Sequence, residues 1–353
     1  MAKDRILRDN LIRPIPYSDG VKVSKLFNYR KQTKFNIMQI DVSIIIPTKN
    51  AGNEFDKSLS RIFTQKTKYR YEVIVIDSAS TDTTLKIIAK YPVRLIKIKP
   101  EEFGHGKTRN LGAGLAKGRY LVYLTQDAIP ANENWLDSLL KNMETDEDEK
   151  VAGVYSRTLP KSNCDPFEAR YIAKAWGAEK EIKKITDYGE YKRHYKKIVF
   201  FSNISSCIRK DVWEKFPFSE NLIMAEDQDW SKRVLEAGYK IVYEPESVVY
   251  HSHNYSLKQL FKRYFDAGTA HKQVFKDNNN VYLPLIPLFA MVVTILDLSF
   301  MRQTGYNLPS MIKWIPKAII RHFIEATGFW LGLHSKYLPE RMLKKFTMYG
   351  KYR

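Results

Sequence analysis

Four short apolar runs, each stopping at a polar cluster, restrict this chain more than any other feature. The runs are Val42–Ile46, Glu72–Ile76, Val93–Ile98 and Arg119–Leu124, and stretches with helical spacing (53–64, 82–90 and 107–117) separate them. Strand-like runs alternating with helical ones indicate βαβ units and a parallel sheet. Runs that are apolar on both faces suit strands covered on both sides. In such folds ligands bind beyond the carboxyl ends of the strands. The residues that follow the runs are Pro47-Thr48-Lys49-Asn50, then Asp77 through Asp82, then a loop into Gly104-His105-Gly106-Lys107-Thr108-Arg109-Asn110, then Thr125-Gln126-Asp127-Ala128. Any one of these clusters would pass for a helix cap. Four of them in succession point to a binding site.

The 353 residues, 44% of them hydrophobic, suffice for a large domain with extensions. Two cysteines exclude a disulfide scaffold and a cysteine-based zinc site, and they suit a reducing compartment. The first residues, MAKDRILRDN, show no apolar secretory core. The net charge of +19 sits at the ends: residues 1–40 hold nine Lys and Arg against three Asp and Glu, and residues 251–353 hold fifteen against five. Basic ends of this kind meet nucleic acid or an anionic membrane, or simply face water.

The blocks IIIPTKN, VIVIDSASTDTT, GHGKTRNLG, YLTQDAIP and AEDQDW, in this order over residues 42–270, resemble the family-2 glycosyltransferases. The combination of FGHGKTRN, TQDA and HSHNYS is similar, more narrowly, to bacterial rhamnosyltransferases. The resemblance implies a GT-A fold: a Rossmann-like α/β domain with a mixed, mostly parallel sheet flanked by helices. The expected organisation is a basic N-terminal arm (1–40), a catalytic domain (41–270) and a helical, basic, amphipathic C-terminal region (271–353).

Transfer from a nucleotide-sugar requires neutralisation of a diphosphate leaving group and removal of a proton from the acceptor hydroxyl. The resemblance places donor contacts at Pro47, Thr48, Asn50, Asp77, Ser80, Arg109, Asn110 and Asp127. Asp77 is the expected acceptor for a pyrimidine N3–H. Arg109, with its rigid guanidinium fork, would address the base or a phosphate. Gly104 and Gly106 permit a close backbone approach there. Where the fold usually carries Asp-x-Asp, this chain reads Thr125-Gln126-Asp127, so a single carboxylate remains for Mg²⁺ or Mn²⁺. Mg²⁺ commonly binds through one or two carboxylates plus substrate phosphates. His251, directly after a strand-like run, is the expected second metal ligand. Asp227 is the expected general base, Glu226 and His253 are acceptor-side candidates, and Asp229 is expected to be structural.

Residues 281–296 carry no charge, but they fall short of the roughly 20 needed to span a bilayer, and Pro284 and Pro287 interrupt them. Lys313, Lys317 and Arg321 follow at i, i+4 and i+8 among tryptophans and phenylalanines, as in a membrane-surface helix. The alternative is a helix packed on the catalytic domain.

The expected activity is inverting transfer of L-rhamnose from dTDP-L-rhamnose to a glycan or lipid-linked oligosaccharide for a bacterial surface polysaccharide. The enzyme would be cytoplasmic and peripheral at the inner face of an anionic membrane, with a divalent cation and no nucleic acid. Alternatives are another donor such as a UDP-hexose, or a non-enzymatic nucleotide- or nucleic-acid-binding module. Carboxylates lining the cleft argue against a polyanion ligand. A processive synthase would need transmembrane helices and a Q-x-x-R-W block, which the sequence does not show.

Overall fold

A computed structural model describes residues 39–148, 150–276 and 283–349. Residues 1–38 of the expected N-terminal arm and the first two residues of the 281–296 stretch lie outside the described residues. The first half follows the expected alternation: β1 (Val42–Thr48), α1 (Glu54–Phe63), β2 (Tyr71–Asp77), α2 (Thr84–Ile88), β3 (Arg94–Lys97), α3 (His105–Leu115) and β4 (Tyr120–Leu124). β1, β2 and β4 are almost wholly buried, as runs apolar on both faces must be. β3 occupies the sheet edge, with Leu95 and Ile96 half-buried and the charges of Arg94 and Lys97 at its ends in water.

The chain continues through β5 (Ile129–Pro130), α4 (Trp135–Glu144), β6 (Val151–Leu159), α5 (Pro166–Ala175), β7 (Glu181–Lys183), α6 (Tyr188–Ile198), β8 (Ser205–Arg209), α7 (Lys210–Lys215), α8 (Glu226–Glu236) and β9 (Lys240–Tyr250). The sheet order is β3-β2-β1-β4-β8-β6-β9-β5, with β7 also on β9. β8 is antiparallel to both β4 and β6, while β9 runs parallel to β6. β4 and β9 therefore point the same way, and their carboxyl ends share one edge. β8 begins at that edge. α3 and α8, which return the chain to β4 and β9, begin there too. This topology collects sequence-distant polar clusters into one place. Two apolar layers cover the sheet, one against α1 and α4 and one against α3, α7 and α8.

The C-terminal region is helical: α9 (Leu257–Phe275), α10 (Ile286–Gln303), α11 (Leu308–Leu333) and α12 (Glu340–Phe346). α9 and α11 touch backbone to backbone. A Cβ on Gly332 would stand 2.1 Å from the Phe265 carbonyl oxygen, and one on Gly268 would stand 2.2 Å from that of Phe329.

Two expectations fail here. The apolar segment does not end near residue 296. Pro287 lies in the first turn of α10, where its missing N–H costs nothing, and the helix runs on to Gln303. Residues 283–303 thus form a helix long and apolar enough to cross a bilayer. Arg321 is not on a lipid-facing stripe. It is 7% exposed and pairs with Asp165 (2.7 Å), Glu168 (3.2 Å) and Glu325 (2.8 Å). Beside it, Asp297 of α10 meets Arg170 and His322. One face of α10 and α11 is therefore bolted to α5 by buried charges.

Candidate active site

Asp127 follows β4, and His251 and His253 follow β9. One Asp127 oxygen lies 3.4 Å from Nε2 of His251, and the other lies 3.5 Å from Nδ1 of His253. The three ligand atoms fall within 4.8 Å of one another. A carboxylate and two imidazoles fit a divalent cation that keeps open positions for phosphate oxygens and water. Burial would raise the Asp127 carboxyl, but the two imidazoles outweigh it and hold it well below the usual carboxylate range. Burial lowers His253 to about 4, so its ring is neutral, as a metal ligand must be. His253, expected toward the acceptor, instead joins Asp127. Residues two apart in an extended chain face the same way, so the His-x-His spacing after a strand was the available signal.

The other strand-end loops are laced together. Gln126 accepts from the Lys49 N–H (2.7 Å) and donates back to the Lys49 carbonyl (3.1 Å), a reciprocal clasp between the β1 and β4 loops. The residue standing inside the missing Asp-x-Asp is thus a staple. The buried Asp77 accepts from both the N–H and the hydroxyl of Ser80. The Ser80 hydroxyl in turn accepts from the Asn50 N–H (2.8 Å), while Oδ1 of Asn50 accepts from Thr81 N–H (2.8 Å). Asn50 and Ala79 both adopt positive φ, a strain of roughly 1–3 kcal/mol each that such loops hold where function requires it. Pro47 and Thr48 close β1 at this edge. Thr48 is buried, and its carbonyl accepts from Ser78 N–H.

Arg109 and Asn110 face other tasks. Nη1 of Arg109 sits 3.0 Å from Oε1 of Glu226, with both side chains at most 6% exposed. Glu226, expected toward the acceptor, is therefore buried against an arginine. Asn110 is saturated, accepting from Trp213 Nε1 and Phe218 N–H and donating to the Phe218 carbonyl and Glu220. The Gly106 approach is likewise to protein: a Cβ there would meet the Ser219 carbonyl oxygen at 2.3 Å.

Asp227 is the second residue of α8, after Glu226, and Ala225 before them turns the chain into the helix with a φ of 62°. The Asp227 carboxylate accepts one N–H on each oxygen, from Asn203 (3.1 Å) and Gln228 (2.9 Å), and keeps a further lone pair on each. Burial, reinforced by the Glu226 charge, pushes Asp227 up to about 7. Glu226 goes down: burial opposes its charge, but Arg109 and His105 overcome that. Two adjacent carboxyls with opposite shifts make a division of labour in which Asp227 is the one poised to take a proton at neutral pH. Asp229 is tied to Ser219 (2.6 Å) and Arg233 (2.9 Å), as expected of a structural residue.

Residues 43–215 match the model of glycosyl transferase family 2. The chain is 35% identical over 313 residues to the O-antigen chain rhamnosyltransferase WbaN of Salmonella anatum, covering 88% of this chain and 95% of the relative. It is 31% identical over 315 residues to the O-antigen chain rhamnosyltransferase RfbN of Salmonella typhimurium, with the same coverage. The solved mannosyltransferase of Pyrobaculum calidifontis, in complex with GDP-Man and Mn²⁺, superposes with a TM-score of 0.52 at 17% identity, over 87% of this chain and 94% of that one.

Proposed function

Because this chain belongs to the family-2 glycosyltransferases, we propose that it is an inverting rhamnosyltransferase. It moves L-rhamnose from dTDP-L-rhamnose to a hydroxyl of a lipid-linked glycan during assembly of a bacterial surface polysaccharide. The two rhamnosyltransferase relatives, each matched over 95% of its length, support the sugar. The observation that carries the chemistry is that Asp127, His251 and His253 cluster at the same sheet edge where α8 begins with Glu226 and Asp227.

Asp127, His251 and His253 would hold a divalent cation, which would supply positive charge to offset the donor diphosphate. Two imidazoles among three ligands favour Mn²⁺ over Mg²⁺. Asp77 and the clasped β1, β2 and β4 loops receive the nucleoside. Asp227 takes the proton from the acceptor hydroxyl, and that oxygen bonds to the anomeric carbon as the carbon–phosphate-oxygen bond breaks. The nucleoside diphosphate leaves with the bonding electron pair, and the anomeric configuration inverts.

Residues 41–270 carry the reaction, and residues 271–353 hold the enzyme on the inner face of the cell membrane. The exposed apolar side chains Leu288, Phe289, Val292, Ile295, Ile312 and Phe323 lie opposite the bolted face, with exposed Lys313 and Lys317 beside them. An apolar band with flanking lysines complements an anionic bilayer surface.

A panel of nucleotide-sugars, assayed with and without EDTA and a lipid-linked glycan acceptor, tests this reading. Metal-dependent turnover of dTDP-L-rhamnose is expected. Preference for a UDP-hexose would replace the donor, and no turnover of any nucleotide-sugar would remove the proposal.

A further inference from the structure

We propose that Arg263 of α9 binds the diphosphate of the nucleotide donor, a task the sequence pattern offered to Arg109. The inference rests on the donor reading above. Arg109 cannot supply a free cation, because its charge is matched by Glu226 at 3.0 Å. Two other cations near the cleft are also matched: Lys161 by Glu54 at 2.7 Å, and Arg321 by three carboxylates. Arg263 differs. Its Nη1 donates to the thioether of Met224 at 2.8 Å, a weak acceptor with no charge. Among the described residues it makes no ion pair. Asp266, on the next turn of α9, accepts from the Met348 N–H through Oδ2 instead.

The position is the right one. Met224 immediately precedes Ala225, Glu226 and Asp227, so the guanidinium stands at the entrance to α8. The C-terminal tail folds back beside it. Lys262 donates to the Thr347 carbonyl (3.1 Å), and the Tyr349 ring meets the edge of His105 at 4.6 Å. On the other side, Tyr255 stacks on His253 at 4.7 Å. A guanidinium with no carboxylate partner among the described residues, held at the residue that leads into Glu226 and Asp227, is placed for a dianion that enters the cleft. Its planar fork suits two phosphate oxygens.

A diphosphate also links a glycan to its lipid carrier, and the test separates the two sources. Calorimetric titration of the wild type, Arg263→Gln and Arg263→Lys with dTDP, dTMP and thymidine in Mn²⁺ reads the contact without any acceptor. Arg263→Gln should weaken dTDP by about 10–100-fold, the usual effect of losing charge-assisted hydrogen bonds, and thymidine hardly at all. Arg263→Lys should fall between. Unchanged dTDP binding by a folded Arg263→Gln overturns the proposal, including the case in which only the KM for a lipid-diphosphate acceptor rises. Equal losses for dTDP and thymidine also overturn it, since they mark a structural role. If the wild type binds neither dTDP nor UDP with Mn²⁺, the donor reading itself fails and takes Arg263 with it. Should Arg263→Gln not fold, modification of wild-type arginines by phenylglyoxal decides. Protection of Arg263 by dTDP but not by thymidine supports the contact, and absence of reaction or of protection overturns it.

Discussion

The Arg109 guanidinium lies 3.0 Å from the Glu226 carboxylate, with both groups almost wholly out of water. This pair keeps Glu226 ionised, and the ionised Glu226 in turn helps keep a proton on its neighbour Asp227. Breaking a buried pair by removing one partner costs roughly 3–5 kcal/mol, since a bare charge remains. Arg109→Gln should therefore lower the denaturant midpoint markedly, and the double variant Arg109→Gln/Glu226→Gln should recover most of the loss. Equal stability of the single variant and wild type would contradict the pairing.

Asp227 must be deprotonated to act as a base. The groups acting on it are Glu226 on its own helix, Arg109 on α3, and the N–H groups of Asn203 and Gln228. With Asp227 at about 7, kcat should rise with pH up to about that value and level off above it. Asp227→Asn should lower kcat by about 10²–10⁴-fold with donor binding near normal. A pH profile unaltered by the substitution would assign the base elsewhere.

The same shift has a stability cost with a definite sign. Between about 4 and 7 the folded protein keeps a proton that the unfolded chain has lost. That stabilisation is full at low pH and disappears as pH rises through 7. The Tm of Asp227→Asn relative to wild type should therefore climb between pH 5 and pH 8, by scanning calorimetry. A flat difference would place the shift on another group.

The metal cluster predicts that Asp127→Ala and His253→Ala each weaken Mn²⁺ binding in the presence of dTDP, read by electron paramagnetic resonance. Asp127→Ala should also abolish most turnover, with little recovery on adding metal. Wild-type turnover that persists in EDTA would rule out a metal role.

The C-terminal helices separate two kinds of basic residue. Lys313→Gln/Lys317→Gln should weaken binding to anionic vesicles by about 2 kcal/mol, at roughly 1 kcal/mol per lysine, and leave Tm nearly unchanged. Arg321→Gln, with its three buried carboxylate partners, should lower Tm first. Gly332→Ala should cost about 1–3 kcal/mol, because its Cβ would strike the Phe265 carbonyl, whereas Gly114→Ala points into open space and should cost nothing.

The sequence by itself determined the sheet edge and the polar clusters that line it. Hydrophobic periodicity reports strands and helices locally, so β1 to β4 and the clusters after them, Asp77 and Asp127 included, were legible, whereas Asp227 was singled out by the family resemblance. The length of α10 was misread because a proline looks like a break until its place in the helix is known. What only the tertiary structure decided was the state of the charges. Arg109 and Arg321 read as free cations, yet Glu226, Asp165 and Glu168 arrive from distant parts of the chain to neutralise them. Arg263, one basic residue among many in the sequence, makes no ion pair among the described residues and donates to the Met224 thioether instead. The electrostatic interaction of two side chains depends on their separation in space and on the water between them. Neither is written in the local pattern, so a residue's type can be read from the sequence and its charge environment cannot.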